Sequence, residues 1–327
     1  MTLGKQILYL SQIDVANTGL TMAEVVDAVE KGFIEMGNGR VEMPPKPGIH
    51  PGEGSDNFIH AMPAFIPAMK AAGVKWVSGF PGNQAKGLPY ITGLLILNDP
   101  ETGIPVAVMD CAWITAMRTG AASAVSAKYL ARPESSTIGI LACGVQGHSN
   151  LEAMNVLFPL KKVNAFDTSA EQAKKLAKFG ESLGLEVDIV DEPRKAVTGC
   201  DIVVTAGPIL KTPHATIQAG WMDKGTFASL VDFDSYFARE ALKEADKWTT
   251  DQIGQYNYYK DVGGYFQECP DIYAELGELA AGKKVGRENP GEKTFAANLG
   301  LALDDMAVAP LIYKRAIEKK VGTWLPL

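Results

Sequence analysis

The chain has little from which to build a disulfide or metal framework. Its four cysteines, Cys111, Cys143, Cys200 and Cys269, are scattered through 327 residues with no CxxC pair. They read as reduced structural thiols, which excludes a disulfide-stapled secreted fold. The four histidines, His50, His60, His148 and His214, share no metal-ligand spacing with each other or with the cysteines, so no metal site is expected. No apolar run approaches the roughly 18–20 residues of a membrane-crossing helix. The start, Met1 to Leu10, has one lysine and an apolar stretch too short for a secretory signal. There is no surplus of positive charge: 31 Lys and Arg face 38 Asp and Glu, a net −7, which argues against a nucleic-acid partner. What remains is an acidic, cytoplasmic, globular protein, because 46% hydrophobic and 21% charged residues suit a chain that folds.

The length corresponds to about two domains, but no repeat or Pro/Ser-rich linker separates them. Hydrophobic period does. Thr21-Met-Ala-Glu24 is a capping box, and Val25, Val26, Val29, Phe33 and Ile34 share one helical face up to Gly37. The period then shortens in Phe58–Phe65, Gly73–Val77, Ile91–Asn98 and Ile104–Asp110, with Asn98-Asp-Pro-Glu-Thr-Gly103 as a hairpin loop. A long helix of small residues, Ala112–Ala131, follows. From Ser136 strands and helices alternate, which predicts a parallel, doubly wound α/β sheet with right-handed crossovers. The expected fold class is therefore α/β, with residues 1–130 (plus about 301–327, a last helix) forming a β-rich domain and 131–300 the doubly wound one.

The strand Thr137–Ala142 runs into Ala142-Cys-Gly144-Val145-Gln146-Gly147 and a helix, one methyl away from the dinucleotide fingerprint. Gly144 lets the backbone approach a pyrophosphate, and the helix N-terminus supplies free N–H groups. Asp167 closes the next strand 20 residues beyond Gly147 (167 − 147 = 20) and can accept from ribose hydroxyls while repelling a 2′-phosphate. Asp167-Thr168-Ser-Ala contains no Arg or Lys, which points to NAD(H) over NADP(H). The other reading is a tight βα turn with Asp167 capping the following helix. His148 either meets a cofactor phosphate or belongs to the helix start.

In the first half, Lys75 stands inside an apolar strand and Arg118 inside a helix of small residues. Each needs an anionic partner, since an unpaired buried charge is costly. With Lys46 they form three cations with few acids nearby in sequence, a set that suits a carboxylate ligand, with Arg118 bidentate. Alternatively Lys75 snorkels from an edge strand and Arg118 makes a structural salt bridge.

Several stretches then carry a resemblance: Met43-Pro-Pro-Lys46, Ala61-Met-Pro63, Gly73-Val-Lys-Trp-Val77, Gly79-Phe-Pro-Gly-Asn83, Lys86-Gly-Leu-Pro89, Leu97-Asn-Asp-Pro-Glu-Thr-Gly-Ile-Pro105, Met117-Arg-Thr-Gly-Ala121 and Gly300-Leu-Ala-Leu-Asp-Asp305. In order and spacing the chain resembles the ornithine cyclodeaminase/mu-crystallin family, which includes an archaeal-type alanine dehydrogenase and ketimine reductases. The resemblance implies a homodimer whose β-rich domain holds substrate and dimer interface, beside a Rossmann domain. It implies Lys46, Arg118 and Lys75 on the substrate carboxylate, Lys75 also exchanging protons at the reacting C–N centre, and Leu299 and His60 as further substrate contacts. The family's catalytic acid lies in G-x-D-x-P-G-K-x-E-L. Here that stretch is Leu230-Val-Asp232-Phe-Asp234-Ser-Tyr-Phe-Ala-Arg-Glu240, so Asp234 matches, Asp232 is its rival, and the Pro-Gly-Lys is missing. Either acid can alternatively cap the helix that follows.

The implied activity is an NAD(H)-dependent oxidoreductase acting at the α-carbon of an amino acid through an imino acid. The first expectation is conversion of L-ornithine to L-proline and ammonia; the alternatives are an alanine dehydrogenase or cyclic ketimine reductase, or a non-catalytic ligand binder like mu-crystallin. His60 stands where similar cyclodeaminases carry Glu, which leaves the substrate open. The aromatic run Tyr256-Asn-Tyr258-Tyr259 and Tyr236-Phe237 depart from the family pattern and are packing residues or pocket lining.

Overall fold

The structure is a computed structural model that describes residues 3–52 and 56–327. The chain opens with strand β1 (Gln6–Leu10) and helices α1 (Gln12–Asn17) and α2 (Met22–Gly37). Thr21 caps α2: its hydroxyl accepts from the Glu24 N–H, and the Glu24 carboxylate accepts from the Thr21 N–H. The expected capping box is therefore present. Sequence period did not reveal β1 or α1, and Ser11 begins α1 with a second capping box.

Next come β2 (Gly48–Ile49), β3 (Phe58–Ile66), β4 (Ala71–Gly79), β5 (Ile91–Asn98) and β6 (Pro105–Asp110), then α3 (Ala112–Leu130). Strands β3 to β6 pair antiparallel in succession. The Asp99 carboxylate makes the β5–β6 hairpin by accepting from the N–H groups of Glu101 and Thr102.

An alternating series follows: β7 (Thr137–Leu141), α4 (Val145–Leu157), β8 (Lys162–Phe166), α5 (Ala170–Ser182), β9 (Glu186–Ile189), β10 (Ile202–Thr205) and β11 (Phe227–Leu230). It continues through α6 (Arg239–Leu242), β12 (Lys247–Thr250), α7 (Ile253–Asp261), β13 (Ala274–Glu275), α8 (Leu276–Ala280) and β14 (Thr294–Ala297). The chain ends in α9 (Ala302–Lys319) and β15 (Thr323–Pro326).

Contacts divide the chain into two units, Met1–Arg118 with Leu301–Leu327, and Thr119–Gly300, the division falling inside α3. In the first unit the described strands form one sheet in the order β15-β1-β6-β5-β4-β3-β2. Its inner face carries Met62, Lys75, Leu95, Met109 and Leu10, all buried, and α9 packs against β3 and β4. Helix α2 lies close to α9 because Gly32 has no side chain; a Cβ there would sit 3.1 Å from Leu303. In the second unit the parallel sheet runs β13-β12-β14-β11-β10-β7-β8-β9, so the chain grows outward from β7 to β9 and then returns to β10 on the other side of β7. The small residues of α3 also have a packing reason: a Cβ on Gly120 would collide with the Ser149 carbonyl of α4 at 2.4 Å. The fold is thus the expected α/β class, a Rossmann-like sheet and a second, mainly antiparallel one.

Removing the α2 cap with Thr21→Ala should lower stability by about 1 kcal/mol, read as a shift of the urea midpoint without a change in slope.

Candidate active site

Lys75 lies mid-strand in β4 with its side chain fully enclosed. Its Nζ is 2.7 Å from Asp305 Oδ1 and 3.4 Å from Thr115 Oγ1. Arg118, also buried, reaches Asp304 Oδ2 at 3.3 Å through Nη1 and Asp305 Oδ1 at 3.5 Å through Nε. The expectation of few acids around these cations is thereby corrected. Asp304 and Asp305 arrive from the first turn of α9, more than 180 residues away in sequence. The signal was present as two adjacent acids opening an otherwise apolar helix, Leu301-Ala-Leu-Asp-Asp-Met-Ala-Val. Snorkelling is excluded for Lys75, because its ammonium is inside and paired.

The two pairs differ in quality. The Lys75–Asp305 distance is that of a charge-assisted hydrogen bond, whereas both Arg118 distances are longer. Arg118 Nε faces Asp305 only at that longer range and completes no hydrogen bond, so the guanidinium is held more loosely than the Lys75 ammonium. Burial, reinforced by Arg118, takes the Lys75 ammonium down to about 8 against the opposing pull of Asp305. Cys111 is close enough to feel Lys75, and burial pushes its thiol up to about 11, so it stays protonated.

His60 sits on the inner face of β3, opposite Val77. Its ring stacks on Phe58 at 4.5 Å and covers Gly48, where a Cβ would lie 2.3 Å from the imidazole. Burial and the nearby Lys46, His50 and Lys75 depress its pKa to about 3, so it is neutral. Lys46 is half-buried on the segment before β2. Lys46, His60, Lys75 and Arg118 are thus linked within the first unit.

In the second unit, Ala142 takes the left-handed conformation (φ 74°) where the fingerprint has its first glycine. Gly147 permits close helix–strand packing, since a Cβ would lie 2.6 Å from the Ala142 carbonyl, and a Cβ on Gly144 would meet nothing within 4 Å. Gly144 caps α4 without any side-chain bond, and Val145 is exposed. Open space at an uncapped helix N-terminus is what a phosphate needs. Gln146 turns along the helix to accept from Ser149 at 3.2 Å. His148 stays with the helix start, its Nδ1 2.9 Å from the Gly144 carbonyl. Asp167 holds the turn, accepting from the Cys143 N–H at 2.6 Å and the Ser169 N–H at 2.7 Å. Helix α5 is capped by Ser169, and Thr168 is exposed beside it.

The two rival acids separate clearly. Asp232 accepts from Thr205 Oγ1 at 2.7 Å and from the Gly207 N–H at 3.1 Å, one bond per oxygen. Asp234 accepts from the Phe266 N–H at 3.1 Å through Oδ2, while its buried Oδ1 has no partner. Between them Phe233 is left-handed (φ 63°), a strained conformation stabilised by packing on Tyr259, Tyr265 and Phe266. Tyr256 stacks on Phe266, so Tyr256 and Tyr259 belong to this core. Leu299 is buried in the same apolar cluster. Among the described residues no His, Cys, Asp and Glu group can hold a metal ion, and no helix is long and apolar enough to cross a membrane.

Burial raises the Asp232 carboxyl from 3.8 to about 7. The folded state therefore binds more protons than the unfolded one between those values, and stability falls as pH rises through that window. Asp232→Asn should shrink the stability lost between about pH 4 and about pH 7 in urea titrations. An unaltered slope would show that Asp232 ionises normally.

The family model described as the ornithine cyclodeaminase/mu-crystallin family matches residues 6–320. Alanine dehydrogenase of Archaeoglobus fulgidus is 36% identical over 326 residues, covering 97% of this chain and 98% of that protein. The structure of Thermococcus litoralis Delta(1)-pyrroline-2-carboxylate reductase in complex with NADH and L-proline has a TM-score of 0.87 and 35% identity, covering 97% of this chain and 99% of its own. An archaeal alanine dehydrogenase dimer with bound NAD has a TM-score of 0.86 and 35% identity, covering 98% and 99%. Matched over nearly its whole length in both sequence and fold, the chain belongs to the ornithine cyclodeaminase/mu-crystallin family.

Proposed function

We propose that this protein is an NAD(H)-dependent oxidoreductase that interconverts a small α-amino acid bearing an uncharged side chain and its imino acid. The observation that carries the reading is the buried Arg118, loosely held by Asp304 and Asp305, beside a desolvated, tightly paired Lys75. An α-carboxylate fills the need of the first, assisted by Lys46. Lys75, with a proton affinity near neutrality, suits proton exchange with the substrate nitrogen. In the second unit, the unpartnered Oδ1 of Asp234 leaves that carboxyl able to take up a proton.

The residues of the second unit fit a dinucleotide. Ala142, Gly144, Val145, Gln146 and Gly147 leave open space and N–H groups for its phosphates, and the acid of Asp167, with Thr168, suits the hydroxyls of an adenosine ribose. When bound, NADH supplies the hydride that the α-carbon of the imino acid receives. Lys75 gives the nitrogen its proton, and Asp305 steadies the ammonium until then. Sealed from solvent, that proton is held for the ligand.

Ornithine fits this site less well. Its side-chain ammonium needs an anionic acceptor, and position 60 offers a neutral histidine among cations. The relatives acting on alanine and on a pyrroline carboxylate point the same way. The decisive measurement follows reduced nicotinamide with NAD and L-amino acids, and with NADH and cyclic imines or oxo acids plus ammonia. Turnover of a small neutral imino or amino acid is expected. Proline from ornithine without net NADH would select the cyclodeaminase instead, and tight NADH binding with no turnover would mean a ligand-binding protein. Lys75→Ala should cut turnover by about 10²–10⁴-fold with NADH affinity nearly unchanged. Wild-type reduction should decline as pH rises past about 8, where the ammonium is lost.

The first unit also presents an apolar open sheet face. Trp76 lies opposite Leu94 and Ala61, and Ile96 lies opposite Val74 and Val108; Trp76, Leu94 and Ile96 are all exposed. We assign this face to a homodimer interface, in line with the dimeric archaeal relative. Leu94→Glu should halve the mass seen by analytical ultracentrifugation while preserving the circular dichroism spectrum; an unchanged mass would place the interface elsewhere.

A further inference from the structure

The ring of Tyr236, on the loop after β11, rests on Gly207, just past β10. A Cβ on Gly207 would lie 2.5 Å from Tyr236 Cε2 and 2.7 Å from Oη. Gly207 is not in the left-handed region, so its lack of a side chain serves the tyrosine and not the backbone. Asp232 fixes Gly207 by accepting its N–H. His214 meets the Tyr236 ring edge-on, with centroids 4.1 Å apart and planes at 80°, and its own Nδ1 lies 2.8 Å from Thr216 Oγ1.

Besides burial, the charges of Asp232 and Asp167, which follow β11 and β8, act on the Tyr236 hydroxyl. Seated on Gly207, the ring stands at the end of β10, whose neighbour in the sheet is β7, and between these two strands the sheet reverses its direction of growth. That reversal opens the crevice where doubly wound sheets take ligands. Burial and the neighbouring acids push the phenol far above its usual range, so it remains a protonated donor. The turn Ala142–Gly147 contains no Lys or Arg, and Asp167 adds negative charge beside it. A phosphate there gains from a neutral donor.

We infer that Tyr236 is a cofactor-binding residue whose hydroxyl donates to the pyrophosphate of the bound dinucleotide, held in place by Gly207, Asp232 and His214. The inference rests on the NAD(H) assignment above. The test titrates NADH by fluorescence and ADP-ribose by competition, on wild type, Tyr236→Phe, Gly207→Ala and the double variant, with melting temperatures alongside. Tyr236→Phe should weaken NADH and ADP-ribose alike by about tenfold without lowering the melting temperature. Gly207→Ala, which displaces the ring, should weaken both ligands, and adding it to Tyr236→Phe should cost little more. NADH affinity within about twofold of wild type in Tyr236→Phe would overturn the inference and leave the cofactor assignment standing. A wild type that fails to bind NADH would remove both.

Discussion

A fully enclosed lysine in the middle of a strand is tolerable only if a carboxylate meets it, and in the first unit that carboxylate is Asp305. Breaking such a pair costs about 3–5 kcal/mol, because the remaining charge stays buried. The pairing obliges the last helix to return to the first sheet, and Gly73 makes the approach possible: a Cβ there would sit 3.1 Å from Met306 Sδ. Arg118 extends the pair into a four-membered array with Asp304. Two cations and two acids balance, so the array tolerates burial, and Arg118 is its looser member. The burial that demands Asp305 also brings Lys75 near neutrality.

The second unit shows the same economy with acids. Asp232 and Asp234 stand two residues apart, yet one has both oxygens occupied and the other keeps one oxygen unpartnered. The left-handed Phe233 between them sends their carboxylates to different partners, and an aromatic cluster holds that strain. Ala142 is strained in the same way at the turn before α4. Both strained residues follow strands of the parallel sheet, the ends at which such folds carry their functional loops.

Much of the architecture was legible. The α2 cap, the β5–β6 hairpin and the strand–helix alternation from β7 to β9 depend on neighbours a few residues apart, so local pattern exposes them. Strands β12, β13 and β14 did not announce themselves: they are two to four residues long, too short for a period. Strand β1 escaped because its partners, β6 and β15, lie far away in the chain. In the first unit Lys75 and Arg118, and in the second Asp234, stood out as ionisable residues in unsuitable places, whereas Tyr236 read as packing or pocket lining.

The sequence by itself determined the fold class, the family, the glycine turn with its acid twenty residues on, and the demand of Lys75 and Arg118 for anions. These follow from spacing and residue type, which local sterics and charge make readable. Tertiary structure alone decided which anions answer, which of two neighbouring acids keeps an oxygen free, and that His60 is neutral. Each of those depends on desolvation and on groups brought from distant segments, and neither quantity exists until the chain has folded.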